Sequence, residues 1–113
     1  MADFRKSLNE IKYFLLDLDG TVYLGDKLIG KMDETLNKIR ETGKKVVFLT
    51  NNSSKSVESY AEKLKKMKLF KNGDEICTSG IATARFLAGK RKGKKVYLIG
   101  NIVKFQKETL IFR

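Results

Sequence analysis

The chain of 113 residues has no histidine and a single cysteine. The usual zinc-ligand sets therefore cannot be assembled from its side chains, and any metal it holds should be a hard one that takes oxygen ligands. A lone cysteine, Cys77, also rules out an internal disulfide framework. It falls in a short strand-like run and reads as a packed side chain rather than a reactive one. Proline is absent, so no turn can be placed from it. No apolar run approaches the ~20 residues that cross a bilayer. The opening segment, MADFRKSLNE, lacks the apolar core of a secretory signal. The expectation is a cytoplasmic protein with no membrane partner.

Acidic residues are also few: 13 against 24 lysines and arginines, a net charge of +11. Such an excess raises the question of an acidic partner, either nucleic acid or phosphorylated metabolites. Two basic clusters stand out, KLKKMKLFK at 63–71 and KRKGKK at 90–95. The first falls at a helix end, where cations complement the helix dipole. The second reads as a connection from a helix to the next strand. Neither is interleaved with several aromatic rings that could stack on bases. A nucleic-acid-binding module is the weakest reading, and solvated surface is the plainer one.

What is present is organised around Tyr13 to Thr21, YFLLDLDGT. Four bulky apolar residues bounded by a polar turn predict a strand buried on both faces, as in a parallel sheet. Ligands of such sheets bind beyond the carboxyl ends of the strands, which is where Asp17 and Asp19 would stand. One ionised aspartate can act as a nucleophile toward phosphorus. A neighbour can protonate a leaving oxygen and later deprotonate water. Two carboxylates repel a phosphate dianion, so the arrangement needs a divalent cation, and Mg²⁺ suits it. The bland alternative is a solvated Asp-Gly turn.

The rest of the chain alternates. A short helix is expected over 3–11, and a small hairpin with its bend at Gly25-Asp26 follows the acidic turn. A helix over 32–42 with Met32, Leu36 and Ile39 on one face leads to a strand at 45–49, VVFL at its centre. Strand, helix and strand at this spacing form a right-handed βαβ unit with parallel strands. Thr50 and Asn51 would then share an edge with Asp17 and could donate to phosphoryl oxygens. Alternatively, Asn52, Ser53 and Ser54 cap the next helix. That helix is expected over 55–68, with Val57, Ala61, Leu64 and Met67 inward. A strand at 75–78, a helix at 81–88 and a strand at 95–99 follow. The order implies an α/β class with a doubly wound, mainly parallel sheet in a three-layer, Rossmann-like sandwich. At this length one domain is expected at most, with a modest core.

These segments resemble the haloacid dehalogenase (HAD) superfamily of phosphohydrolases. Asp17-Leu18-Asp19-Gly20-Thr21 matches its first motif. Val22 to Asp26 and Phe48-Leu49-Thr50-Asn51-Asn52-Ser53 look like its subclass IIA branch, typified by nitrophenyl-phosphatase-like and nucleotide-phosphatase-like enzymes. Thr78 to Ala84 and Val96 to Gly100 continue the likeness. The resemblance implies Asp17 as nucleophile and Asp19 as general acid/base. It also implies Mg²⁺ on the Asp17 carboxylate and the Asp19 carbonyl, with Thr50 and Asn51 holding the phosphoryl group.

Members of that branch are much longer and carry a cap domain, a later lysine and a later acidic motif. After Thr50 the acidic residues here are Glu58, Glu62, Asp74, Glu75 and Glu108, none a credible late metal pair. Residues 1–101 are thus expected to form a partial core domain, 102–113 a divergent tail, and a cap to be absent. An HAD-type phosphatase acting on a small phosphorylated metabolite leads the readings. A catalytically inactive fragment that keeps phosphate and Mg²⁺ binding is the alternative. Self-association through an open apolar sheet edge is expected in either case.

Overall fold

The computed structural model describes residues 7–52 and 54–95. Residues 7–10 are helical, the described part of the helix expected at the start of the chain. Strand β1 (Tyr13–Asp17) is followed by β2 (Tyr23–Leu24), β3 (Lys27–Leu28) and helix α1 (Met32–Glu41). Strand β4 (Lys45–Thr50), helix α2 (Val57–Lys66), strand β5 (Glu75–Thr78) and helix α3 (Ser79–Lys90) complete the order. The expected strand at 95–99 and the tail at 102–113 lie outside the described residues, apart from Lys95.

Three strands form one parallel sheet in the order β1-β4-β5. Asp17 lies opposite Leu49, and Thr50 lies opposite Thr78. Because the strands run the same way, all three carboxyl ends reach one edge. The crossovers step in one direction across the sheet, so right-handed connections carry α1 and α2 to the same face. The core sits there. Val46 and Phe48 of β4 pack with Leu36 of α1 and with Tyr60 and Leu64 of α2. Leu18, Val22, Tyr23 and Leu69 complete this fully buried cluster, and Leu16 and Ile76 flank it. The fold class is α/β, a partial Rossmann-like core built on a parallel sheet.

Helix α1 buries Leu36 with Met32 and Ile39 beside it, as its spacing predicts. In α2 the buried side chains are Tyr60 and Leu64, so the inward stripe includes Tyr60 where Val57 and Ala61 were expected. The α2 cap is also corrected. Ser56 accepts from the Ser59 N–H at 3.1 Å, whereas Asn52 Oδ1 accepts from Ser54 in a local turn. Helix α3 starts earlier than its apolar pattern predicts, because Thr78 accepts from the Ile81 N–H and caps it. It also runs past Gly89 to Lys90.

One expectation fails on β1. It is not buried on both faces: Tyr13 is 57% and Leu15 61% exposed, alternating with half-buried Phe14 and Leu16. Among the described residues β1 is an outer strand of the sheet, and its odd-numbered side chains point away from α1 and α2. Val47 shares that face but is buried, because β4 has a strand on either side. Among the described residues, no helix is long and apolar enough to cross a membrane.

Candidate active site

The acidic turn is shaped by its one apolar member. Strand alternation places Asp17 and Asp19 outward and Leu18 inward. Leu18 is completely buried, while both aspartates are exposed. Its N–H continues the ladder to the Leu49 carbonyl at 3.1 Å, and its own carbonyl accepts from Thr21, Val22 and Tyr23. The chain therefore curls tightly round one oxygen just after the strand ends. Gly20, at φ +81°, takes the left-handed conformation that this curl needs. Its N–H closes the loop on the Tyr23 carbonyl at 2.8 Å. The β2–β3 hairpin leaves this turn, pairing Tyr23 with Leu28 and Leu24 with Lys27.

Thr50 ends the neighbouring strand, about 5 Å across by ordinary strand spacing. It is 5% exposed, and its Oγ1 accepts from the Asn52 N–H at 3.1 Å. Asn51 is exposed, and its carbonyl accepts from the Ser79 hydroxyl at 3.1 Å. The four candidate residues thus lie on adjacent strand ends along one edge. Ser79 joins them from the third strand. It was not singled out from the sequence, although a serine opening a helix directly after a strand was a usable signal.

Two tyrosines underlie the turn. The hydroxyls of Tyr23 and Tyr60 are buried without a hydrogen-bond partner among the described residues. The Lys63 ammonium lies 4.0 Å from the centre of the Tyr23 ring, a favourable cation–π placement. Burial pushes the Tyr23 phenol up to about 12, with Asp19, Tyr60 and Asp17 adding to the rise. Removing that proton would place an anion in the core beside two carboxylates.

Among the described residues, neither aspartate carboxylate accepts a hydrogen bond or meets a cation in an ion pair. No described loop hydrogen bond uses the Asp19 carbonyl. These are oxygen donors left free, which fits a hard cation that retains several waters. No group of three or more His, Cys, Asp or Glu gathers among the described residues to hold a metal unaided.

The haloacid dehalogenase-like hydrolase family matches residues 14–109. Phosphoglycolate phosphatase 1A, chloroplastic, of Arabidopsis thaliana is 42% identical over 95 residues, covering 82% of this chain and 26% of the relative. An acid sugar phosphatase of Staphylococcus aureus is 33% identical over 93 residues, covering 82% and 36%. The crystal structure of a 4-nitrophenylphosphatase from Thermotoga maritima superposes with a TM-score of 0.67 at 40% identity, over 74% of this chain and 32% of that one. The chain spans about a quarter to a third of the length of these relatives. Motif, parallel sheet and sequence identity agree, and the chain belongs to the haloacid dehalogenase-like hydrolases, in their subclass IIA branch.

Proposed function

We propose that this chain supplies the nucleophile half of a Mg²⁺-dependent phosphate-monoester hydrolase acting in the cytoplasm. The observation that carries the reading is the pair of free aspartates beside a strand-end threonine, in a chain 42% identical to a phosphoglycolate phosphatase. The Asp17 carboxylate attacks phosphorus and becomes an aspartyl-phosphate as the ester oxygen leaves with a proton from Asp19. Asp19 then takes a proton from water, the resulting hydroxide attacks phosphorus, and Asp17 is released with inorganic phosphate. Thr50 O–H and Asn51 N–H donate to the phosphoryl oxygens throughout. Mg²⁺, held by the Asp17 carboxylate and the Asp19 carbonyl, would neutralise charge between carboxylate and phosphate. Relatives named for phosphoglycolate and for acid sugars favour a small phosphorylated acid or sugar as substrate. The excess of positive charge is in keeping with an anionic ligand.

A second reading is binding without turnover. It is favoured by a candidate metal site that, among the described residues, gathers no third acidic, histidine or cysteine side chain. Hydrolysis of p-nitrophenyl phosphate with Mg²⁺ separates the two, with Asp17→Asn as the control. Turnover lost in the variant supports the first reading. Phosphate and Mg²⁺ binding without turnover supports the second, and activity indifferent to Asp17 removes the first.

A further inference from the structure

The start of α3 touches the turn after β4 in a way the hydrolase reading leaves unused. Ser79 donates its hydroxyl to the Asn51 carbonyl oxygen at 3.1 Å, from a position 28 residues away. The other polar end of the same peptide unit is held too, because Asn52 N–H donates to Thr50 Oγ1 at 3.1 Å. The Asn51–Asn52 peptide is thus gripped at its oxygen by Ser79 and at its nitrogen by Thr50. A peptide unit is planar, so two such contacts leave it little freedom to tilt.

Hydroxyl valence carries the consequence to Thr50. A threonine hydroxyl offers one donor and two acceptor lone pairs. Asn52 N–H occupies one lone pair, and no described hydrogen bond uses the Thr50 proton. Thr50 is 5% exposed, and its hydroxyl proton has no protein acceptor among the described residues. An oxygen atom arriving at the strand edge would satisfy it.

Ser79 stands on a firm base. Thr78 caps α3 by accepting from the Ile81 N–H, and the Thr83 hydroxyl donates to the Ser79 carbonyl at 2.8 Å. Thr78 is itself the register partner of Thr50. The clamp therefore runs from the third strand's helix to the second strand's end, and hydrogen bonds in such a series strengthen one another.

We propose that Ser79 is a positioning residue: by clamping the Asn51–Asn52 peptide it turns the Thr50 hydroxyl outward as a donor to a phosphoryl oxygen. This rests on the reading of Thr50 and Asn51 as phosphoryl-holding residues. Ser79 does not touch the reacting group itself.

The test uses the ¹⁵N-labelled chain as wild type, Ser79→Ala and Ser79→Thr, with two readouts. One is hydrogen exchange at the Asn52 amide without ligand; the other is titration with inorganic phosphate in the presence of Mg²⁺. Loss of one neutral hydrogen bond is expected to speed exchange and weaken phosphate binding about three- to tenfold each in Ser79→Ala. Ser79→Thr, which restores the hydroxyl, should return both toward wild type, an outcome that general damage to α3 would not give. Unchanged exchange in Ser79→Ala overturns the clamp. Faster exchange with unaltered phosphate affinity overturns the positioning role. If wild type fails to bind phosphate, the reading of Thr50 and Asn51 falls and this proposal with it; faster Asn52 exchange in Ser79→Ala would then show that the fault lies in that reading, not in the clamp.

Discussion

Arg40 and Asp74 close on each other across 34 residues as a two-pronged pair, Nε to Oδ1 at 3.1 Å and Nη2 to Oδ2 at 2.5 Å. Nη2 also donates to the Leu69 carbonyl, and Asp74 Oδ2 accepts from the Lys71 N–H. The contact fastens the end of α1 to the turn that leads into β5. Arg40→Met would leave the Asp74 carboxylate, 3% exposed, buried without its cation. The expected loss is about 3 kcal/mol, read as a lower urea midpoint at unchanged slope. A loss under about 0.5 kcal/mol would mean that the pair acts as an exposed one does.

Leu18 should be as sensitive as any core residue despite standing between two exposed aspartates. Leu18→Ala removes a completely buried side chain at a cost of about 3 kcal/mol. The cavity would also loosen the curl that spaces Asp17 from Asp19. Mg²⁺ affinity should therefore fall along with the denaturant midpoint, whereas Leu64→Ala, a core truncation on α2 rather than within the turn, should lower the midpoint alone. Equal metal affinity in both variants would count against a part for Leu18 in shaping the turn.

Tyr23 predicts an alkaline weakness. Its phenol is raised from 10.0 to about 12 in the folded chain, so above pH 10 the folded state holds a proton that the unfolded state releases. Stability from this source is complete below pH 10 and is lost as pH rises to about 12, by roughly 2–3 kcal/mol in all. The quantity to measure is the difference between wild type and Tyr23→Phe, in which ionisations common to both cancel. The variant keeps the ring beneath Lys63 and discards a buried hydroxyl that has no hydrogen-bond partner among the described residues. It should match or exceed wild type at pH 7 and fall less steeply above pH 10.

The uncovered side of β1 predicts association. Ile11, Tyr13 and Leu15 expose apolar surface along an outer strand, an arrangement prone to pairing with another chain. Light scattering during size-exclusion should show the apparent mass rising with concentration. Leu15→Lys should shift that rise to higher concentration without lowering the thermal midpoint. A mass independent of both concentration and substitution would refute the association.

Much of this architecture was legible because local pattern and local chemistry agree. VVFL and YFLL read as strands by their apolar continuity, and Leu36 falls on the helical spacing that buries it. Asp17, Asp19, Thr50 and Asn51 could be brought to one edge because a right-handed crossover leaves two consecutive strands parallel. What stayed hidden depends on partners far along the chain. Periodicity gives no signal for Arg40 finding Asp74, for Ser79 reaching Asn51, or for Lys63 covering Tyr23. The exposure of Tyr13 and Leu15 was missed for a related reason: an apolar run tells what a strand can bury, and neighbours decide what it does bury.

Cys77 shares its row of the sheet with Leu49 and Asp17, and so faces the side that β1 leaves open. As the sole thiol of the chain, and only half-buried, it offers a single attachment point for a thiol-reactive dye. The rate at which such a dye couples becomes a gauge of that surface: brisk while it is bare, slow once anything lies across it.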